Sequence, residues 1–173
     1  MIFIISGGVG AGKTSFLRKV ASRLGQMGVP LSGFRSERVS VRGELRGYDL
    51  VDLASGKRTE WLRRGEAGER IGPYAIVPEG RRAGERIFSG SPSSSLLAVD
   101  ELGPAELEGR GFWPSLRPLL RDEGRSFLFV VRTSCFGGFK KLLAGRRLTV
   151  FRVGGSWTPS SAAREILAHV RQG

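Results

Sequence analysis

The stretch from Ile2 to Leu17, IFIISGGVGAGKTSFL, constrains this chain more than any other. Gly7, Gly12, Lys13 and Thr14 fit the spacing G-x-x-x-x-G-K-[ST] of a phosphate-binding loop. Ile2 to Ile5 is a short apolar, β-branched run that reads as a fully buried strand. A helical pattern follows from Lys13 through Phe16, Leu17, Val20 and Leu24, so the glycines fall between strand and helix. The first N–H groups of that helix have no partner within it, and its positive dipole end favours an anion. Gly7, Gly8, Gly10 and Gly12 let the backbone close on phosphate oxygens; Val9, Ala11 and Ser15 complete the predicted nucleotide-binding loop. Lys13 is positioned to reach β- and γ-phosphates, and the Thr14 hydroxyl to ligate Mg²⁺.

The rest of the chain reads as an α/β fold built on this start. The first helix runs from Lys13 to about Met27, where Gly28, Val29 and Pro30 close it. Strands are predicted over 31–38, 47–53 and 59–62, an antiparallel meander after the first helix, with a separate short strand over 74–77. Residues 63–86 are the least legible, with one or two helical turns predicted over 81–88 and a turn-rich loop over 89–95. Buried strands are predicted at 96–99, 127–131 and 148–153, and helices over 112–123 and 139–144. Thr158 is the expected N-cap of a last helix with Pro159 at its first position. Apolar strands alternating with helices mean a mostly parallel sheet flanked by helices on both faces. The expected architecture is that of a P-loop NTPase, with residues 1–173 as one domain.

The acidic pair Asp100-Glu101 ends an apolar run, LLAV, at 96–99. In open α/β sheets ligands bind beyond the carboxyl ends of strands, so Asp100 is expected beside the phosphates, holding Mg²⁺ with Thr14. Glu101 is expected to take a proton from, or orient, an attacking water. Glu106 is a second candidate for that work, ahead of Glu108. Arg132 leaves a buried strand and can serve as an internal arginine finger on the γ-phosphate. Arg35, Arg38, Arg42 and Arg46 lie on the meander, and the sequence does not choose among them. Trp157, after the last core strand, is a candidate for stacking on a nucleobase. Cys135 reads as an inert buried thiol and His169 as a helix-end charge.

Composition narrows the partners. The formal net charge is +12 and the pI about 11.2, which draws polyanions. No nucleic-acid recognition motif accompanies the charge, so nucleic acid is possible but not expected. No apolar run approaches a membrane span, and Met1 to Ile5 lacks the basic region of a signal peptide. A single cysteine permits no internal disulfide and suits a cytoplasmic setting. The expected state is a monomer.

Five stretches together resemble a known family: GGVGAGKTSFL (7–17), GVPLSGFRSERV (28–39), GYDLVDLASG (47–56), IGPYAIV (71–77) and LLAVDELGPAELEGRGF (96–112). Their order and content resemble the small P-loop nucleoside-triphosphatases of thermophilic prokaryotes, relatives of human cancer-related nucleoside-triphosphatase. The resemblance implies a slow, Mg²⁺-requiring hydrolase of nucleoside triphosphates (ATP, GTP, CTP and UTP) with broad base tolerance. It also implies that the segment Asp100, Glu101, Leu102 and Gly103 completes the nucleotide site. Two positions depart from the family pattern: Leu45 stands where the family has an arginine, and GGSWTPSS replaces an Asn-Arg pair near the C-terminus. The sequence leaves two other readings open. One is a P-loop kinase passing the γ-phosphoryl to a nucleoside, small metabolite or polynucleotide end; the other is a nucleotide-switched RNA- or protein-binding module.

Overall fold

The computed structural model describes residues 1–170. One mixed sheet of nine strands organises them, in the order β5-β6-β4-β3-β2-β7-β8-β1-β9. Its parallel half joins β2 (Leu31–Val41), β7 (Leu96–Leu102), β8 (Phe127–Arg132), β1 (Ile2–Gly7) and β9 (Leu148–Arg152). Its antiparallel half runs outward from β2 through β3 (Glu44–Asp52) and β4 (Arg58–Arg64) to β6 (Tyr74–Ile76) and β5 (Arg70–Ile71).

Alternation along the strands divides the core in two. Phe3 and Ile5 of β1 face one way, where α1 (Lys13–Gln26) and α6 (Pro159–Val170) cover them with Leu17, Val20, Leu24 and Ile166. Ile2 and Ile4 face the other way, into the cluster covered by α2 (Pro78–Ser89), α3 (Pro104–Leu107), α4 (Trp113–Leu116) and α5 (Thr133–Leu142). All four β1 side chains are fully buried. A strand apolar on both faces cannot sit at the surface, which is why β1 lies inside the sheet between β8 and β9.

The local signals mark most element ends. Gly28, at φ 77°, follows α1, and Pro78 opens α2. Thr158 caps α6, its hydroxyl oxygen accepting the Ser161 N–H at 3.1 Å. Four expectations needed correction. The helix expected over 112–123 is broken into α4 and a 3₁₀ turn at Leu119–Arg121, because Pro118 has no N–H to give and its ring crowds the turn before it. The helix expected at 139–144 starts at Thr133, directly off β8. The turns expected at 81–88 form a longer helix, from Pro78 to Ser89. The strand expected at 96–99 continues to Leu102 through a bulge.

Candidate active site

The loop after β1 turns into α1 through Gly10 and Gly12, at φ 76° and 86°, conformations that cost a side chain strain. Lys13 Nζ folds back to donate to the Gly8 carbonyl at 2.7 Å, across the loop's mouth. Register does the rest. β8 separates β1 from β7, and Gly7 pairs with Arg132 at the end of β8. Lys13, Thr14, Ser15, Asp100, Glu101 and Arg132 therefore line one groove of about 600 Å³, with Val9, Gly10 and Gly12 on its rim. Arg18, Arg35 and Arg38 add positive charge to its walls.

Two carboxylates in that groove differ sharply. Asp100 is 3% exposed. Its Oδ2 accepts the Ser36 N–H at 3.0 Å; its Oδ1 is buried with no hydrogen-bond partner among the described residues. Burial pushes its carboxyl up to about 7, against the opposing pull of the Ser36 N–H, the Thr14 hydroxyl and Lys13. A buried carboxylate oxygen left unpaired beside a hydroxyl is a hard-oxygen donor set, and a divalent cation such as Mg²⁺ fits it. Glu101, the next residue, sits at φ 68° where β7 bulges away from β8. The bulge turns its side chain out to Arg132, whose Nε donates to Glu101 Oε1 at 2.9 Å and whose Nη2 donates to the same oxygen. Burial would lower the Arg132 pKa, but the Glu101 charge and hydrogen bond outweigh it and raise it. Burial lowers that of Lys13, with Arg132 adding to the effect.

A second cavity, of about 320 Å³, lies behind this groove. Its walls are the rings of Tyr48, Trp61, Tyr74 and Phe112, and its floor is the segment from Leu102 to Glu106. Ser36, Tyr48, Asp100, Glu101 and Arg132 line both spaces. Glu106 is 6% exposed and holds the floor together, its Oε2 accepting the Gly103 N–H at 2.9 Å and its Oε1 the Phe112 N–H at 3.3 Å. Burial raises its pKa. Gly111, at φ 60°, is needed there, since a Cβ would overlap Glu106 Oε1.

Of the residues expected at the site, Val9, Gly10, Gly12, Lys13, Thr14 and Ser15 of the loop converge with Asp100, Glu101 and Arg132 on the groove; Gly7, Gly8 and Ala11 do not line it, and Leu102 and Gly103 line the second cavity instead. Trp157 lines neither; its ring packs on Phe151, centroids 4.9 Å apart, against the α1 and α6 side of the core. Sequence reading missed Ser36, whose contribution is a backbone N–H and so independent of residue type. It also missed Tyr48 and Arg18, which no local spacing singles out.

A sheet whose carboxyl end sets a glycine loop and helix N-terminus opposite an acidic strand places this protein among P-loop nucleotide-binding domains. Comparison with known proteins narrows the class. Residues 2–155 match the model of the NTPase family. The chain is 35% identical over 133 residues to nucleoside-triphosphatase THEP1 of Hyperthermus butylicus, covering 74% of this chain and 69% of that protein. It is 38% identical to THEP1 of Archaeoglobus fulgidus over 62% of this chain and 64% of that protein. In fold it is similar to THEP1 from Aquifex aeolicus, with a TM-score of 0.73 at 20% identity over 98% of this chain and 99% of that one. The chain thus belongs to the NTPase family, whose enzymes hydrolyse nucleoside triphosphates.

Proposed function

We propose that the chain hydrolyses nucleoside triphosphates to diphosphate and phosphate with Mg²⁺, slowly and with broad base tolerance, as a cytoplasmic monomer. The observation that carries the site assignment is the unpaired, buried Asp100 Oδ1 facing the groove that Lys13 and Thr14 also line. In this reading the loop N–H groups from Gly8 to Ser15 hold phosphate oxygens, and Lys13 exchanges the Gly8 carbonyl for them. Thr14 and Asp100 hold the metal, which when bound would supply charge neutralisation on the β- and γ-oxygens. Glu101 orients the attacking water and receives its proton. Arg132 meets the charge that gathers on the γ-phosphoryl group. The Glu101–Arg132 ion pair couples these last two roles: a γ-phosphate that draws Arg132 away frees the Glu101 carboxylate for water.

The test is phosphate release from ATP, GTP, CTP and UTP with Mg²⁺, comparing the protein with Glu101→Gln and Lys13→Ala. Slow release from all four, reduced about 10²- to 10³-fold in both variants, is expected. Nucleotide binding should survive in Glu101→Gln. No release from any of the four, with tight binding intact, would sink the proposal.

A further inference from the structure

An attacking water needs only about 10–15 Å³ of free space. The cavity behind Glu101 offers about 320 Å³, and its walls are not those of a water site. Trp61 and Phe112 stack at 4.3 Å on one side, and Tyr48 and Tyr74 meet edge-on at 5.4 Å on another. Aromatic walls of this kind suit a flat ring. Four carboxylates line the space: Asp100, Glu101, Glu106 and Glu108. Arg132 and Arg110 pair with Glu101 and Glu108; Asp100 and Glu106 have no ion-pair partner among the described residues. Glu106 already accepts two backbone N–H groups, and the carboxylates outnumber the cations in this lining, so it disfavours an anion and suits a neutral ring system that carries no phosphate. The left-handed backbone at Glu101 sits where the cavity opens into the groove, and strain of that kind gathers at functional positions.

We propose that this cavity receives a neutral nucleoside and that the γ-phosphoryl group is passed to its hydroxyl. The inference rests on the assignment of the neighbouring groove to the triphosphate, not on water being the acceptor. The acceptor oxygen forms a bond to the γ-phosphorus as the bond from phosphorus to the β–γ bridging oxygen breaks. Glu101 takes the hydroxyl proton, and the bridging oxygen leaves on the nucleoside diphosphate. Nucleoside and triphosphate become nucleoside monophosphate, diphosphate and a proton, with no redox partner. Hydrolysis is then the same step with water in the place of an absent acceptor.

The experiment offers adenosine, guanosine, cytidine and uridine to the protein with Mg²⁺ and γ-labelled ATP. It follows label into monophosphate and into free phosphate, and measures binding of each nucleoside alone by calorimetry. Label appearing in a nucleoside monophosphate is expected. Its ratio to free phosphate should fall at least tenfold in Tyr74→Ala, which opens the cavity, and in Ile71→Trp, which fills it from half-buried edge strand β5. The second variant keeps the test informative if the first fails to fold. Free phosphate with no label in any nucleoside, whether or not calorimetry detects binding, would overturn the inference and leave the hydrolase reading standing. Transfer that survives both variants would overturn the cavity assignment. Transfer without release to water would uphold the inference and count against the hydrolase reading alone.

Discussion

The groove and the cavity share five residues but are made in opposite ways. The phosphate-holding part of the groove is backbone, a glycine loop and the N–H groups of α1, and a Ser36 N–H orients Asp100 among the charged side chains that line the rest. The cavity is built from side chains delivered by every strand from β2 to β8 and by the segment before α4. A backbone site depends on φ and ψ at a few neighbouring residues, whereas a side-chain cavity depends on packing among residues far apart in the chain. The two regions should therefore break under different substitutions.

The largest effect is expected at Phe112, whose ring touches Phe34, Trp61 and Phe88. Phe112→Ala should cost about 3–5 kcal/mol. That lowers the thermal midpoint by roughly 6–20 °C, read by calorimetry. A smaller loss would mean that the cavity walls do not depend on one another.

The next concerns Asp100, where the groove is under electrostatic strain. Burial lifts its pKa from 3.8 to about 7, so the native state holds a proton that the unfolded chain releases. Its contribution to stability is thus lost as pH rises from about 4 to about 7 and is constant above that. Asp100→Asn should flatten that part of the stability profile and raise the midpoint at neutral pH by several degrees while abolishing phosphate release. An unchanged profile would show that Asp100 is ionised without metal.

Two glycines give the sharpest contrast. Gly111→Ala adds a clash with the Glu106 carboxylate to an unfavourable φ, and should cost about 2–3 kcal/mol by denaturant unfolding. Gly12→Ala meets nothing within 4 Å and pays only for its φ of 86°, about 1–2 kcal/mol. Its larger consequence should be weaker triphosphate binding, measured by titration. If Gly12→Ala proved the more destabilising, the division between a backbone groove and a packed cavity would fail.

The same division decides what could be read in advance. The loop from Gly7 to Ser15 was legible because its function depends on spacing within one turn of chain. The LLAV run and the acids after it were legible because an apolar strand must end somewhere near solvent. Arg132 was legible only as a residue leaving a buried strand; that it grips Glu101 follows from the bulge at Val99–Leu102, which no local signal announces. The break at Pro118 was readable in principle, since proline cannot continue a helix there. Tyr48, Trp61, Tyr74 and Phe112 gave no hint of a shared cavity, being spread over 65 residues of chain.

By itself, then, the sequence determined the phosphate loop, the buried parallel strands and the acidic strand end. Each of these rests on short-range sterics or on strand and helix periodicity. Only the tertiary structure decided that β8 lies between β1 and β7, that Asp100 loses its solvent while Glu101 keeps an arginine, and that four distant rings enclose a space beside them. Those outcomes depend on strand order and burial, which arise from the competition of the whole chain for one core.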